Sequence, residues 1–407
     1  VVDIIKSIIK NIIFLGLIIG IVIGAFCWAF MFLVNLSSNF LWHELPHIIK
    51  VNNFTITIIL CSLGGLIIGL CQKYLGPYPK EMDEILHEYK LTKTIDYKPL
   101  PKYIICAFLP LIFGGSIGPE AGLFGMVAML STFLSEKFKS SIYKVQPISK
   151  KLLNYVTYSC TALSAYFTIK FLSDLTHKGS FIFKLSKNNI SSKELMFFIP
   201  ILILSIIIGI SFNYMGDLVK YTCKKTKISL NPFTEAIIGG GILAVLGAYF
   251  PLTLFSGEHA LREIVNNFDE LGDIYILFIA FLKILATKIS INFRWVGGQI
   301  FPTIFASFCI AFAVSDILKI DPTYSVAIIA AGVITVVLRK PIIAVVLIGL
   351  FLPVTYWIFA IISSFSINFI IDKFKYKNLN KYLQHMLIKL KGMRCKDLTS
   401  ENTPQSS

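Results

Sequence analysis

The sequence predicts an all-α, polytopic membrane protein with an internal repeat and broken helices, and three observations carry that reading. Hydrophobic residues make up 55% of the 407 residues and charged residues only 15%, well below the roughly 25% of soluble domains. The apolar residues fall into stretches long enough to cross a bilayer, which takes about 20 residues. These are 12–34, 54–75, 103–135, 152–172, 195–219, 234–254, 274–291, 300–318, 323–338 and 341–371. The longest hold two segments each, which predicts about ten to twelve membrane helices, some of them short or broken. Finally, Gly/Pro motifs interrupt the apolar runs at places that recur along the chain.

The repeat is read from two echoes in the same order. Gly114-Gly115-Ser116-Ile117-Gly118-Pro119 is matched by Gly297-Gly298-Gln299-Ile300-Phe301-Pro302, 183 residues later. Upstream, Tyr74-Leu75-Gly76 followed by Glu84-Ile85 is matched by Phe255-Ser256-Gly257 followed by Glu263-Ile264, at offsets of 179 to 181. The halves are placed at 1–190 and 191–371, with a basic tail at 372–407. Breaks at corresponding positions of two halves point to a site built from discontinuous helices near mid-membrane. Irregular backbone is tolerated at that depth only where protein buries it or it lines a cavity.

The net charge of +15 lies in loops, which argues against nucleic-acid binding. Lys and Arg gather at Lys73 to Lys102, Lys137 to Lys151, Lys220 to Lys227 and Lys373 to Arg394, the pattern of cytoplasmic loops. The tail after residue 372 is therefore read as cytoplasmic, and the loop Asn35 to Asn53, with His43 and His47, as external. The group Lys178, Lys184, Lys187 and Lys193 fits that count poorly. The first apolar stretch is too long for a cleavable signal and reads as a true span. Cysteines such as Cys27, Cys61, Cys106 and Cys309 sit in apolar runs without a CxxC pair, as small buried hydrophobes do. His87 and the pair Glu258-His259 lack the further ligands that a metal site requires.

The second break is suited to an anion. Gly297 and Gly298 allow a sharp turn and close backbone approach. Pro302 suits the first turn of the helix that follows. A helix starting at membrane depth aims free N–H groups and the positive end of its dipole at one point, which makes an anion site without a full charge. The first break leads into Gly122 to Phe133 in the same way. Partial charges bind strongly enough for entry and weakly enough for exit. Glu120, beside Pro119, is a carboxylate at membrane depth and thus a functional candidate. Its charge can occupy the anion site, and protonation would release it. A purely structural alternative is that it stabilises its own helix dipole. Lys283, Lys288 and Arg294 precede the second break. They either raise the local anion concentration or snorkel and pair with carboxylates.

These motifs resemble those of the CLC family of chloride channels and proton-coupled chloride transporters. Gly118-Pro119-Glu120-Ala121-Gly122 is similar to the family's gating-glutamate signature, which gives Glu120 the gate and proton role. Gly298-Gln299-Ile300-Phe301-Pro302 is similar to the late Gly-x-Phe-x-Pro signature, with the amides of Gln299 and Ile300 facing the central anion. Gly76-Pro77-Tyr78-Pro79 stands where the family has its serine-bearing signature, and Tyr376 is the candidate for the late anion-coordinating tyrosine. The stretch from Ala330 through Arg339-Lys340-Pro341 to Ile371 resembles the closing helices.

The chain departs from the family at three places. The serine is absent, with Pro77 and Tyr78 near its place, and Pro119 replaces the usual basic residue before the gate. Only Ser173 to Glu194 stands where the family has two helices, one with the inner proton-relay glutamate and both in the dimer interface. The resemblance implies a CLC-type inverted-repeat bundle in the cell membrane that carries chloride or a similar small anion. It also implies no cofactor, a homodimer, and either a gated channel or a proton-coupled antiporter. The absent inner glutamate leans toward a channel or an unusual coupling route. A secondary transporter of an organic anion is the alternative. An intramembrane enzyme is remote, because neither Gly-x-Ser-x-Gly nor His-Glu-x-x-His occurs.

Overall fold

Apolar runs punctuated by Gly and Pro fold into a succession of α-helices. The computed structural model describes residues 2–80, 82–92, 94–142, 150–176, 183–186, 192–225 and 231–373. In the first half, α1 (Val2–Asn39) runs through a π turn into α2 (Leu45–Ile49). There follow α3 (Asn53–Tyr74), α4 (Met82–Thr92), α5 (Leu100–Ile112), α6 (Glu120–Ile142) and α7 (Lys150–Leu175). Next come α8 (Ser192–Met196), α9 (Phe198–Lys225), α10 (Pro232–Tyr249), α11 (Glu258–Asn266), α12 (Phe268–Leu271) and α13 (Asp273–Asn292). The chain closes with α14 (Ile300–Leu318), α15 (Pro322–Leu338), α16 (Pro341–Gly349) and α17 (Trp357–Lys373).

Among the described residues, seven helices are long and apolar enough to cross a membrane, and α5 and α15 are shorter apolar helices. The expected double segments are real: 103–135 divides into α5 and α6, and 341–371 into α16 and α17. One expectation is corrected. The supposed loop from Asn35 to Asn53 is helical as far as Ile49, so the first span continues as a single stretch, Ile13–Ile49. The interruption is a π turn, which keeps the backbone hydrogen-bonded where a loop would not. Tyr376 and the tail beyond Lys373 lie outside the described residues.

Packing groups the chain as two compact units, Val1–Phe183 with Ser211–Lys319, and Lys184–Ile210 with Ile320–Ser407. The second sequence half thus divides between both units.

In the larger unit small residues let helices approach closely. On α1, Gly16, Gly20 and Gly24 lie one turn apart and face Cys160, Thr157, Thr161, Ser164 and Ala165 of α7. Between α3 and α10, a Cβ on Gly240 would stand 2.6 Å from the Cys61 carbonyl oxygen and 2.9 Å from the Gly65 Cα. Lipid gives no hydrophobic drive between helices, so such backbone-to-backbone packing is what holds them.

In the smaller unit α15 is buried along nearly its whole length. Asp321 caps it by accepting from the Thr323 amide at 3.2 Å, and also accepts from the Tyr356 hydroxyl. Ser363 on α17 donates to the Ile328 carbonyl at 2.9 Å. The opposite behaviour is seen on α9, where Ile199, Ile203 and Ile207 recur every turn and are more than half exposed.

Replacing Gly240 by Val is expected to force α3 and α10 apart at a cost of about 1–3 kcal/mol. Gly241→Ala, one residue on with open space around its Cβ position, is the control. Thermal unfolding in detergent should show a lowered midpoint for the first variant and a native one for the second.

Candidate anion site

The two glycine breaks meet through their backbones. Gly118 N–H donates to the Gly298 carbonyl at 2.8 Å, and Gly298 N–H donates to the Gly118 carbonyl at 2.8 Å. Gly114 has a φ of +84°, in the left-handed region that only glycine enters freely. A Cβ at Gly297 would overlap Ile117, and one at either Gly118 or Gly298 would overlap the Glu120 carboxyl. Glycine is thus required on both strands of this contact, by the neighbours as much as by the turn.

Beneath the pair lies a polar network that the sequence reading did not single out. Ser116 is fully buried; its amide donates to Ser290 Oγ at 3.2 Å, and its hydroxyl lies 3.1 Å from Thr287 Oγ1. Trp295, also fully buried, donates from Nε1 to the Ala236 carbonyl at 3.0 Å. The available signal was hydroxyl residues three apart, 287 and 290, in a mainly apolar helix.

The reciprocal pair sets the two helix starts against each other. Glu120 is the first residue of α6, and its side chain crosses to the start of α14. Oε1 accepts from the amide of Ile300 at 2.6 Å and from that of Phe301 at 3.0 Å. The amides of Gln299 and Ile300 were expected to face an anion; Gln299 is the N-cap, so the first helical amides are those of Ile300 and Phe301, and these two hold the carboxylate. Glu120 Oε2 is buried and has no hydrogen-bond partner. A carboxylate therefore sits where a helix start binds anions.

The remaining candidates are placed as follows. The Ala121 carbonyl accepts from the Tyr103 hydroxyl at 3.0 Å, and Gly122 packs on Ala107. Tyr78 is linked to this helix indirectly: its ring centroid is 5.9 Å from that of Tyr103, and its carbonyl accepts from Gln72 at 2.7 Å. The Gln299 side chain is tied to α13, its Oε1 accepting from Lys288 Nζ at 2.7 Å. Glu258 is the first residue of α11, directly after Gly257.

The three basic residues before the break differ in what they do. Lys283 is fully buried, and Nζ donates to the carbonyls of Thr253, Leu254 and Phe255 at 3.2, 2.7 and 2.8 Å. It also lies 5.1 Å from the Phe305 ring centre, a cation–π contact. Lys283 thereby ties the chain before α11 to α13 and α14. Arg294 pairs with Glu235 through a 2.5 Å contact. Both are structural partners of the kind expected of a cation in a membrane core. Lys288 alone of the three bonds to a residue of the α14 start.

Comparison with known proteins bears on the family and the fold. A family profile described as "Voltage gated chloride channel" matches residues 146–365. Among solved structures, a CLC-type fluoride/proton antiporter superposes with a TM-score of 0.70 at 18% identity, covering 89% of this chain and 95% of that one. A slow cyanobacterial Cl−/H+ antiporter superposes with a TM-score of 0.73 at 15% identity, covering 88% and 93%. Among curated protein sequences nothing matches.

Lys283→Met would leave buried carbonyls without their donor, at about 1–3 kcal/mol for each. A clear fall in the detergent unfolding midpoint is expected, whereas a native midpoint would mean that water or another donor replaces the ammonium.

Proposed function

We propose that the chain, which belongs to the CLC family of voltage-gated chloride channels, carries chloride or a similar small inorganic anion across the membrane, with Glu120 as its gate. The observation that carries this reading is the carboxylate of Glu120 resting on the amides of Ile300 and Phe301. A group that accepts those two amides competes with any anion for them. Protonation at Oε2 removes its charge, and the neutral acid binds the helix start more weakly than an anion does. The acid leaves, the anion takes its place, and the two occupy the site in turn.

The chemistry of the donors supports a small ion. Two converging amides beside buried glycine backbone offer no broad polar surface for an organic acid. A bare ion in hydrocarbon costs tens of kcal/mol by Born estimates, and amides fixed by a helix offset that cost without reorganising. The chain is a multi-pass membrane protein by its apolar helices and its family. We place it in the cell membrane as a homodimer, its tail on the cytoplasmic side.

The test is anion efflux from loaded proteoliposomes, with external chloride and external pH recorded together, for the native chain and for Glu120→Gln. Chloride efflux altered by the substitution is the expected outcome. Opposed proton movement that the variant abolishes identifies an exchanger, and efflux without a proton signal identifies a gated channel. Absence of flux for every small anion sinks the proposal.

A further inference from the structure

Lys288 is the charged residue that this reading has not used. It lies on α13, five residues after Lys283, with only 9% of its surface exposed. Basic side chains inside membrane helices are rare and mark function more often than packing. The ammonium donates to Gln299 Oε1 at 2.7 Å. Gly216 of α9 leaves room for the stem, since a Cβ there would stand 3.2 Å from Lys288 Cδ and 3.7 Å from Nζ.

Gln299 is the N-cap of α14, and the next two amides are the ones that hold Glu120. A formal positive charge is therefore fastened, through a single residue, to the helix start that receives the anion. The carboxamide accepts from the ammonium without cancelling its charge, as a carboxylate there would. Lys283 and Arg294 make no such connection, because their donors are engaged with the 253–255 carbonyls and with Glu235.

We infer that Lys288, held on the Gln299 carboxamide, is an affinity- and selectivity-determining residue of the anion site. The inference rests on the transport reading above. A site built only from partial charges binds weakly and releases fast. A unit charge bonded to the N-cap side chain, in a low dielectric, deepens the well. Binding tightens for all small monoanions, and release slows. The stronger field favours anions of high charge density, because it offsets their larger cost of dehydration. Fluoride and chloride gain more than iodide.

The experiment measures initial efflux rates against anion concentration in proteoliposomes, for fluoride, chloride and iodide separately. Lys288→Gln is expected to raise the half-saturating chloride concentration roughly tenfold or more, with a maximal rate equal to or above the native one. The rise should be larger for fluoride and smaller for iodide. Lys288→Arg, which keeps the charge, should stay within about twofold of native.

Gln299→Glu leaves the lysine in place and sets a negative charge beside the site, so it should weaken binding at least as much. That variant decides the matter if Lys288→Gln does not fold. Native half-saturation in both Lys288→Gln and Gln299→Glu overturns the inference while leaving the transport reading intact. A fall in maximal rate at unchanged half-saturation likewise overturns it, because a merely structural lysine behaves so. A native chain that passes no small anion overturns both readings.

Discussion

The arrangement of the site depends on one contact, the reciprocal backbone pair between Gly118 and Gly298. Two peptide groups that would be orphans at membrane depth satisfy each other, which removes a cost of several kcal/mol for each unsatisfied group. The same contact fixes where two helices begin. With α6 starting at Glu120 and α14 at Ile300, the first side chain of one reaches the first amides of the other. No side chain is allowed on the glycines, since a methyl on either would displace the Glu120 carboxyl. Backbone geometry therefore comes first, and the placing of the Glu120 carboxyl on the α14 amides follows from it.

Charge inside the larger unit is handled in three ways, and the contrast clarifies the site. Lys283 is neutralised by geometry, its ammonium ringed by carbonyls at the end of a short helical turn. Arg294 is neutralised by a carboxylate, Glu235. Glu120 has neither treatment: one oxygen rests on two amides and the other on nothing. Lys283 is enclosed by carbonyls and Arg294 holds a carboxylate, whereas the carboxylate of Glu120 rests on two backbone amides.

Close packing supplies the rigidity that such a site needs. The glycine stripe of α1 on α7 and the Gly65–Gly240 crossing of α3 on α10 bring backbones together without help from a hydrophobic drive. Trp295 fills the space behind the breaks, against Gly64 and Gly115. Glycine thus serves two purposes along the chain. At the breaks it lets the backbone turn, and inside the helices it lets neighbours approach.

Composition and pattern by themselves determined the class of molecule, most of its spans and the position of the breaks. Each of these is a local property: apolar length against bilayer thickness, and Gly/Pro against helix continuity. Glu120 was also visible as a candidate, because a lone acid beside a Pro in an apolar run stands out. Tertiary structure alone decided which helix start the carboxyl of Glu120 reaches, and that the receiving amides are those of Ile300 and Phe301. It also decided which of Lys283, Lys288 and Arg294 is structural, and that Ser116, Thr287 and Ser290 meet under the breaks. These contacts join residues about 170 to 180 positions apart. A sequence records which groups exist, but the pairing of distant groups is set only when helices pack and each buried donor must find its acceptor.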